Sequence, residues 1–425
     1  MMQQKIKRLL SDKLVKNIGW LAASEVFRRV IRIGLVVVLG RVFSAEEYGL
    51  MAIIFAVTEF SIVFIQKGGV APKIIQADEK DFDELVETAY WTNWILCIGI
   101  FLFQCSLAFP IATFYGNEKL VLPIIVTAAN YLVNPFYAIQ DALIRRENRL
   151  KVGAIATALN SVVSQSLVVI LALSGMGIWS IVFALMISQF CWLTVYRRNH
   201  SWRPSGKITL KKWRDIFSLS RYTLGIEILN YLRSNIDYLL IGRFFSVEQL
   251  GLYFFAFNAG LGVSLTAINM VSNSVFPYLC EAKDNMANLR HGYIRSLKIC
   301  AAIIFPLVVL QSSLAPIYVP IVFSPKWIPA IPILIMICLS ALPRPFALVA
   351  EQLLLVVGRG GDGLKWNIFF TIIFTLSVLV AAQFNIFVVA ATVLGIHLLL
   401  LPMFNFLVSR AVFSRNDSLP ITNTN

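Results

Sequence analysis

The sequence predicts an all-α polytopic membrane protein with about twelve transmembrane helices in two six-helix lobes. Hydrophobic residues make up 58% of the chain and charged residues 14%, and the mean hydropathy is +0.74. A soluble domain is nearer half apolar and about a quarter charged. Apolar runs of about 20 residues, enough to cross a bilayer, recur along the whole length. The runs are continuous rather than alternating, which favours helices over a β-barrel.

Each predicted helix corresponds to one apolar run, and short polar segments separate successive runs. The first residues are basic, but no small-residue cleavage site follows a short apolar core, so we expect no cleaved signal peptide. The twelve predicted spans are 17–41, 48–70, 89–112, 119–142, 152–173, 177–196, 217–242, 251–276, 294–314, 328–354, 366–382 and 386–408.

Basic residues are concentrated on one side of this predicted topology. The N-terminal segment, the stretch RRENRLK at 145–151, the segment 197–214 and the end of the chain are all rich in Lys or Arg. With twelve spans, all four fall on the same side. Since cytoplasmic loops carry the excess of Lys and Arg, both termini are predicted to be cytoplasmic. Topology therefore explains the net charge of +14, and nucleic acid is not an expected partner.

A repeat indicates that a six-helix unit is duplicated. The stretch LGRVFSAEEYGL at 39–50 recurs as IGRFFSVEQLGL at 241–252, 202 residues later, and is interpreted as an outer turn between two helices. Pro72 and Pro277, each expected to end the second helix of its half, are 205 residues apart, and further matches follow at offsets of 209 and 210. Six is even, so both copies enter the membrane the same way round, a parallel repeat that secondary transporters also use.

The repeat and the basic segments together divide the chain. The predicted parts are a basic cytoplasmic N-terminus at 1–16, a first lobe at 17–196, a basic cytoplasmic linker at 197–216, a second lobe at 217–408 and a cytoplasmic tail at 409–425.

The first helix brings charges into the membrane. Its apolar part, 33–43, is about half of the ~20 residues needed to span, so the helix must extend back through a charged stretch. The residues that this takes into the bilayer are Glu25, Arg28, Arg29 and Arg32, whose spacing of three and four places them on one face. Two interpretations stay open: the arginines snorkel to the inner interface, or they line a basic cavity that receives an anionic head group.

The seventh helix repeats this design. Glu227 corresponds to Glu25 at the offset of 202, and Arg233 and Asp237 roughly share its face. Glu59 is a further acid, well inside the second helix. The other polar residues of the seventh helix that we select are Asn230, Tyr231 and Asn235.

Cofactor and metal chemistry have no sequence signature here. The six cysteines have no C-x-x-C spacing and are expected to be buried thiols, and the three histidines are far apart in sequence. No phosphate-binding P-loop motif is present, so ATP is not expected to drive a process within this chain. We expect no cofactor, no metal site and no enzymatic activity.

Four stretches resemble the polysaccharide transporter family of the multidrug/oligosaccharidyl-lipid/polysaccharide exporter superfamily. They are LGRVFSAEEYGLMAI at 39–53, GGVAPKIIQ at 68–76, FYGNEKLVLPI at 114–124 and DALIRRENRLKVGAI at 141–155. The lipopolysaccharide or colanic-acid exporter branch fits best. The family often has Pro after the Ser of the first stretch, where this chain has Ala45 and Val247.

The resemblance implies a flippase of the bacterial inner membrane. Such proteins move an undecaprenyl-diphosphate-linked oligosaccharide outward by alternating access, for the synthesis of O-antigen, capsule or exopolysaccharide. The resemblance also implies coupling to a proton or sodium gradient. The implied partners are this lipid-linked substrate, membrane lipids, the coupling cation and a polysaccharide polymerase. The candidate substrate-binding residues are Arg28, Arg29, Arg32, Arg233, Asn230, Tyr231 and Asn235, and the candidate ion-coupling residues are Glu25, Glu227, Asp237 and Glu59.

Two rival functions stay open. A multidrug or organic-cation exporter of the same superfamily would favour an acidic or aromatic cavity, whereas the charges expected inside this membrane domain lean basic. A membrane enzyme that modifies polysaccharides would need a large outer loop or a convergent His/Asp/Arg set, and the expected outer loops are short and contain no His.

Overall fold

The computed structural model describes residues 13–67, 70–77 and 82–414, apart from some side chains within its helices. These residues form helices and short connections, and no strand occurs among them, which confirms the predicted all-α class. The chain divides into two compact units, Met1–Asn235 and Ile236–Asn425. The lobe boundaries at 196 and 217 and the parallel repeat stay predictions.

The first unit contains the first nine helices, and a tenth helix leads from it into the second unit. Helix α1 packs along α8, and α8 packs along α9. The helices are α1 (Lys13–Val42), α2 (Ala45–Lys67), α3 (Ala71–Gln76), α4 (Phe82–Tyr115), α5 (Val121–Ala128), α6 (Asn130–Val133), α7 (Ala138–Arg146), α8 (Leu150–Leu173), α9 (Trp179–Asn199) and α10 (Trp213–Phe244).

The second unit contains the remaining helices. Its core includes Trp327, which is fully buried and stacks on Phe255 with ring centroids 3.9 Å apart. A π-helical turn, Phe257–Leu261, joins the first two of these helices. They are α11 (Val247–Ala256), α12 (Gly262–Glu281), α13 (Met286–Tyr318), α14 (Ile331–Leu339), α15 (Arg344–Val356), α16 (Gly360–Ala381) and α17 (Ile386–Phe413).

Many of these helices are suited to a membrane. Within the described part of the chain, nine helical stretches are long and apolar enough to cross a bilayer. They coincide with nine of the twelve predicted spans. The other three predicted spans fall on α1, on α10 and on the stretch 247–281, which are also helical and of which several side chains lie outside the described residues. The protein is therefore a multi-pass membrane protein, and the count of twelve stays a prediction.

Prolines act differently in different helices. The predicted fourth span is broken into separate helices around Pro135, and the predicted tenth span is broken before Pro345. In contrast, α4 continues through Pro110. The expectation that Pro277 ends a helix is wrong, because it lies inside α12. Neighbouring helices and local backbone adjustment satisfy the carbonyl that such a proline leaves without its helical partner.

The repeated stretch at 39–50 and 241–252 forms a helix cap in both copies. Ser44 Oγ accepts a hydrogen bond from the backbone N–H of Glu47 (3.2 Å), and the Glu47 carboxylate accepts one from the backbone N–H of Ser44 (2.8 Å). In the second copy Ser246 Oγ accepts from the backbone N–H of Gln249 (3.2 Å). This is a capping box, and it starts α2 and α11 by satisfying N–H groups that have no partner within the helix. The expected turn is therefore confirmed.

The non-helical segment 200–212, called the linker below, is fastened to the first unit. The indole Nε1 of Trp91 donates to the carbonyl of Lys207 (2.9 Å), and Gln140 Nε2 donates to the carbonyl of Trp202 (3.2 Å). The backbone N–H of Ser205 donates to the Glu87 carboxylate (2.6 Å). Side-chain bonds to linker backbone thus fix this segment on α4 and α7.

Candidate functional site

Three of the predicted site residues come together in the first unit. Arg32 of α1 interacts electrostatically with the Glu59 carboxylate of α2, and Glu59 in turn acts on the Tyr231 phenol of α10. The Tyr231 hydroxyl donates a hydrogen bond to the carbonyl of Ala56, and its ring lies 5.5 Å from the ring of Phe60. We call these residues the Arg32–Glu59–Tyr231 cluster. It joins three helices that are far apart in sequence.

The cluster lies on an accessible surface. Arg32 and Glu59 are exposed, and Tyr231 is half-buried. Many protein atoms nevertheless surround Glu59, as they do around a side chain on the wall of a cleft. Arg28 is also exposed and Arg29 is half-buried, so the three arginines of α1 remain reachable from outside the packed interior. A guanidinium can donate two hydrogen bonds at once to a phosphate or a carboxylate.

A buried polar network holds the backbone of α2 next to Glu59. Tyr131 Oη lies 2.8 Å from Gln104 Oε1 and 3.2 Å from the carbonyl oxygen of Thr58. Gln104 Nε2 donates to the carbonyl of Ile124 (2.9 Å). Gln104 and Tyr131 are both buried, so losing these bonds would leave polar groups without partners. The network therefore ties α2, α4, α5 and α6 together at the residue before Glu59.

The second unit contains a related arrangement around Gln311. Its Nε2 donates to the carbonyls of Ala259 (3.1 Å) and Gly260 (2.7 Å), and its Oε1 accepts from Ser264 Oγ (3.1 Å). Both carbonyls belong to the π-helical turn at 257–261, where the helical hydrogen-bond pattern is altered. Gln311 thus binds the π-helical turn directly, whereas Gln104 is linked to the Thr58 carbonyl of α2 through the Tyr131 hydroxyl.

The sequence analysis missed both glutamines, although a signal for them exists. Gln104 and Gln311 are 207 residues apart, which lies between the repeat offsets of 205 and 209. Thr58 and Gly260, whose carbonyls are contacted, are 202 residues apart, the offset of the capping boxes. A search for polar residues at the repeat offset would have found this pair.

Asp237 belongs to the second unit. It is buried, and its Oδ2 accepts a hydrogen bond from the Tyr253 hydroxyl (2.9 Å), while Oδ1 accepts from the backbone N–H of Tyr238 (3.0 Å). The Arg344 guanidinium also acts on it. Asp237 is thus a buried carboxylate that two hydrogen bonds and a cation stabilise. Sequence reasoning had not selected Tyr253.

The other predicted site residues either lie on α10 or have side chains outside the described residues. Glu227 is half-buried on α10. Asn235 is half-buried, and its Nδ2 donates to the carbonyl of Tyr231 in its own helix (2.9 Å), which occupies part of its hydrogen-bonding capacity. The side chains of Glu25, Asn230 and Arg233 lie outside the described residues, so the predictions for them stay as they were. Among the residues that the structure describes, no group of three or more His, Cys, Asp or Glu is placed to hold a metal.

Comparison with known proteins identifies the family of this chain. A family described as "Polysaccharide biosynthesis protein" matches residues 38–332, more than half of the chain. The chain belongs to this family. The resemblance that the four sequence stretches indicated is thereby confirmed.

Two proteins named for polysaccharide biosynthesis are similar to this one over most of the chain. Teichuronic acid biosynthesis protein TuaB of Bacillus subtilis (strain 168) is 26% identical over 406 residues, which cover 94% of this chain and 82% of that protein. Lipopolysaccharide biosynthesis protein WzxC of Escherichia coli (strain K12) is 25% identical over 389 residues, 88% of this chain and 76% of that protein.

Two solved structures share the fold of this family member. The inward closed conformation of the lipid II flippase MurJ matches with a TM-score of 0.73 at 13% identity and covers 91% of this chain and 87% of that chain. An inward-facing multidrug resistance MATE family transporter of the MOP superfamily matches with a TM-score of 0.70 at 14% identity, covering 91% and 93%. At such identities the likeness establishes the fold, and it does not distinguish a flippase from a drug exporter.

Proposed function

We propose that this chain is a flippase that moves an undecaprenyl-diphosphate-linked oligosaccharide across the bacterial inner membrane by alternating access. The observation that carries the proposal is the row of reachable arginines on α1, Arg28, Arg29 and Arg32. A diphosphate needs cations, and the planar guanidinium fork donates two hydrogen bonds to a phosphate at once. Membership of a polysaccharide biosynthesis family supports a sugar-bearing cargo.

The proposed binding roles follow from side-chain chemistry. Arg28, Arg29 and Arg32 receive the diphosphate, and Arg233 adds a fourth cation. Hydroxyl and amide groups suit the sugars, and an aromatic face suits stacking on a pyranose ring. The proposed sugar-binding residues are Asn230, Tyr231 and Asn235. Tyr231 supports this best, since its ring packs on Phe60 and its phenol interacts electrostatically with Glu59.

Acidic residues near these cations are the proposed ion-coupling groups. They are Glu25, Glu59, Glu227 and Asp237, and the ion is a proton or sodium. Glu59 is supported by its interaction with Arg32. While Glu59 is ionised, it competes with a diphosphate for that guanidinium. The occupancy of Glu59 by the coupling cation and the affinity of Arg32 for a diphosphate would therefore be linked.

A multidrug exporter is the second candidate, because a transporter of that class has the same fold. The charge near the cluster weighs against it. An organic cation would be repelled by Arg28, Arg29 and Arg32, while a diphosphate would be attracted. The proposed function is therefore the export of an anionic lipid-linked sugar.

The decisive experiment deletes the gene and measures the lipid-linked oligosaccharide on the cytoplasmic face of the membrane. We expect this intermediate to accumulate while surface polysaccharide falls, and the composition of its sugars names the substrate. Re-expression of the wild-type chain should restore both quantities. A deletion strain with no accumulation and normal polysaccharide would contradict the flippase assignment, and a strain that becomes sensitive to organic cations would favour the second candidate.

A further inference from the structure

The first unit contains an elongated apolar cavity that the proposed function does not use. It has a volume of about 680 Å³ and lies among α2, α4 and the end of the linker. Pockets for small ligands fall in the range of roughly 300–1,000 Å³, so it is large enough for a hydrocarbon chain. The lining residues that matter below are Thr92, Ile95, Gly99, Phe103, Leu210 and Trp213.

The depth of the cavity corresponds to one leaflet of a bilayer. Its lining on α4 runs from Thr92 to Phe103. These two residues are eleven positions apart, which corresponds to about 16 Å along the helix at ~1.5 Å per residue. The hydrocarbon core of a bilayer is ~30 Å thick, so this is about half of it. The bond between Trp91 and Lys207 brings the linker to the Thr92 end. The cavity thus extends from the linker towards the middle of the membrane.

One polar group in this apolar lining has no hydrogen-bond partner among the residues that the structure describes. Thr92 is only 5% exposed, and its Oγ1 makes no hydrogen bond among the described residues. A buried hydroxyl without a partner costs free energy, because it has lost its bonds to water. A ligand that supplied a carbonyl oxygen at this end of the cavity would satisfy it.

The chain at the mouth of the cavity has the chemistry of a membrane interface. The stretch KITLKKWR at 207–214 exposes apolar side chains, with Ile208 74%, Leu210 38% and Trp213 46% accessible. Between them stand basic residues: Lys207, Lys211, Lys212 and Arg214. Trp anchors at the level of the head groups, while Lys and Arg extend their charges towards water and anionic lipids.

We infer that this cavity is a binding site for an anionic diacyl phospholipid. One acyl chain lies along α4 between Thr92 and Phe103, an ester carbonyl accepts the Thr92 hydroxyl, and Lys211, Lys212 and Arg214 hold the head group. The ester distinguishes this occupant from a polyprenyl chain, which carries no carbonyl for Thr92 to bind. The site is separate from the Arg32–Glu59–Tyr231 cluster and does not depend on the proposed function.

The site also has a consequence for the linker. Leu210 belongs to the linker, and Trp213 is the first residue of α10, the helix that carries Tyr231. A bound lipid contacts both residues, and its head group pairs with Lys211, Lys212 and Arg214. The lipid thereby stabilises the start of α10 on the first unit. Anionic lipid is therefore expected to protect the amides of 207–214 from hydrogen exchange.

The test titrates the purified full-length protein with dioleoyl phosphatidylglycerol or dioleoyl phosphatidylcholine and counts bound lipids by native mass spectrometry. We expect one phosphatidylglycerol to bind at least tenfold more tightly than phosphatidylcholine. In Gly99→Leu this tight binding should be lost, because a Cβ at Gly99 meets nothing within 4 Å and the side chain can fill the cavity. Gly395→Leu is the control, since Gly395 lies on a helix of the second unit and has the same open surroundings.

Two further variants test the contact at Thr92 and the contacts to the lipid head group separately. Thr92→Val keeps the shape of the side chain and removes the hydroxyl, so binding should weaken about fivefold while the fold is kept. Replacing Lys211, Lys212 and Arg214 with Gln should abolish the preference for phosphatidylglycerol over phosphatidylcholine. The matched control replaces three exposed basic residues of the second unit, Lys283, Lys298 and Lys365, with Gln.

Three results would overturn the inference. They are equal binding of the two phospholipids by the wild type, unchanged binding in Gly99→Leu, and tighter binding of a polyprenyl phosphate than of phosphatidylglycerol in this cavity. The last result would assign the cavity to the tail of the transported lipid. Failure of transport by itself leaves the lipid measurement intact, so the two proposals are tested separately.

Discussion

At the scale of single residues, the position of Arg32 shows how an arginine is tolerated in a membrane helix. Placing Arg at mid-bilayer costs about 2.5–3.5 kcal/mol on insertion scales. Here the guanidinium has an acid within electrostatic reach, Glu59, and an accessible surface. The first feature offsets part of the charge, and the second keeps the guanidinium at the surface of the protein. Either feature alone would also serve a structural role, so the functional role needs a test.

Arg32→Ala should reduce export of lipid-linked sugar at least tenfold, because a charge-assisted hydrogen bond to phosphate contributes about 1.5–3 kcal/mol. The measurement is the surface polysaccharide of a deletion strain that carries each variant, normalised to the amount of inserted protein. Arg41→Ala is the control, since Arg41 is exposed in the last turn of the same helix. Wild-type polysaccharide in Arg32→Ala would show that Arg32 is a structural residue.

At the scale of helices, the capping box explains why the same short stretch occurs twice. The turn between α1 and α2 is only two residues long, Phe43 and Ser44, so the first N–H groups of α2 must be satisfied within the turn. Ser44 and Glu47 do this reciprocally. Glu47, one of the charged residues of this stretch, is therefore part of a helix cap.

Ser44→Ala should destabilise the first turn of α2 by about 1 kcal/mol, the usual cost of losing an N-cap side chain. This corresponds to roughly fivefold faster hydrogen exchange at the amides of that turn. The measurement is hydrogen exchange followed by mass spectrometry in detergent. Ser106→Ala is the control, because Ser106 lies within α4 and bonds only to the carbonyl of Phe103 in its own helix. Equal exchange in both variants would refute the capping role.

The linker is held by an ion pair whose strength depends on pH. The Glu147 carboxylate lies 3.0 Å from Arg149 Nη1 and 3.2 Å from His200 Nε2, at the start of the linker. The hydrogen bond from Arg149, and next the charge and bond of His200, hold the pKa of Glu147 below its ordinary value of 4.5. A lowered pKa means that ionised Glu147 stabilises the folded arrangement.

Acidification should therefore loosen the linker. The stabilisation is complete above pH 4.5 and is lost as the pH falls through the lower pKa of the folded state. Because the pair is exposed, the effect is about 0–1 kcal/mol. Hydrogen exchange of 200–212, corrected for the intrinsic rates, should rise at acidic pH in the wild type. Glu147→Gln should exchange faster already at neutral pH and show no further step, and a step that persists in it would assign the effect to another group.

At the scale of the whole molecule, the number of membrane crossings decides the topology. Nine helical stretches of the described chain qualify on length and composition, and nine is an odd number. Nine crossings would put the two termini on opposite sides of the membrane. Twelve crossings, with α1, α10 and the stretch 247–281 included, put both on the same side, as the distribution of basic residues predicts.

Reporter fusions distinguish these counts. With twelve crossings, a fusion after Asn199 should report the cytoplasm and a fusion after Phe245 the outer side, whereas with nine crossings these two fusions should report the same side. The readout is a pair of reporters, of which one is active only in the cytoplasm and the other only outside it. The same side for Asn199 and Phe245 would show that α10 does not cross the membrane, and would contradict the count of twelve.

Some features were predictable because they depend on local pattern alone. Apolar runs of the right length gave nine spans that the structure contains as helices, and the repeat gave the turn at Ser44 and its second copy at Ser246. The pairing of Arg32 with Glu59 was not predictable in this way. It requires α1 and α2 to present matching faces, which depends on the packing of the whole first unit.

The sequence by itself determined the all-α membrane class, the family and the list of charged residues inside helices, because composition, periodicity and motif spacing are properties of the chain. Only the tertiary structure decided which of these charges meet. Arg32, Glu59 and Tyr231 come together in the first unit. In the second unit, Asp237 accepts a hydrogen bond from Tyr253. Gln104 and Gln311 each make hydrogen bonds to other helices of their own unit. The physical reason is that side chains on separate helices interact only where the packing of those helices places them in contact.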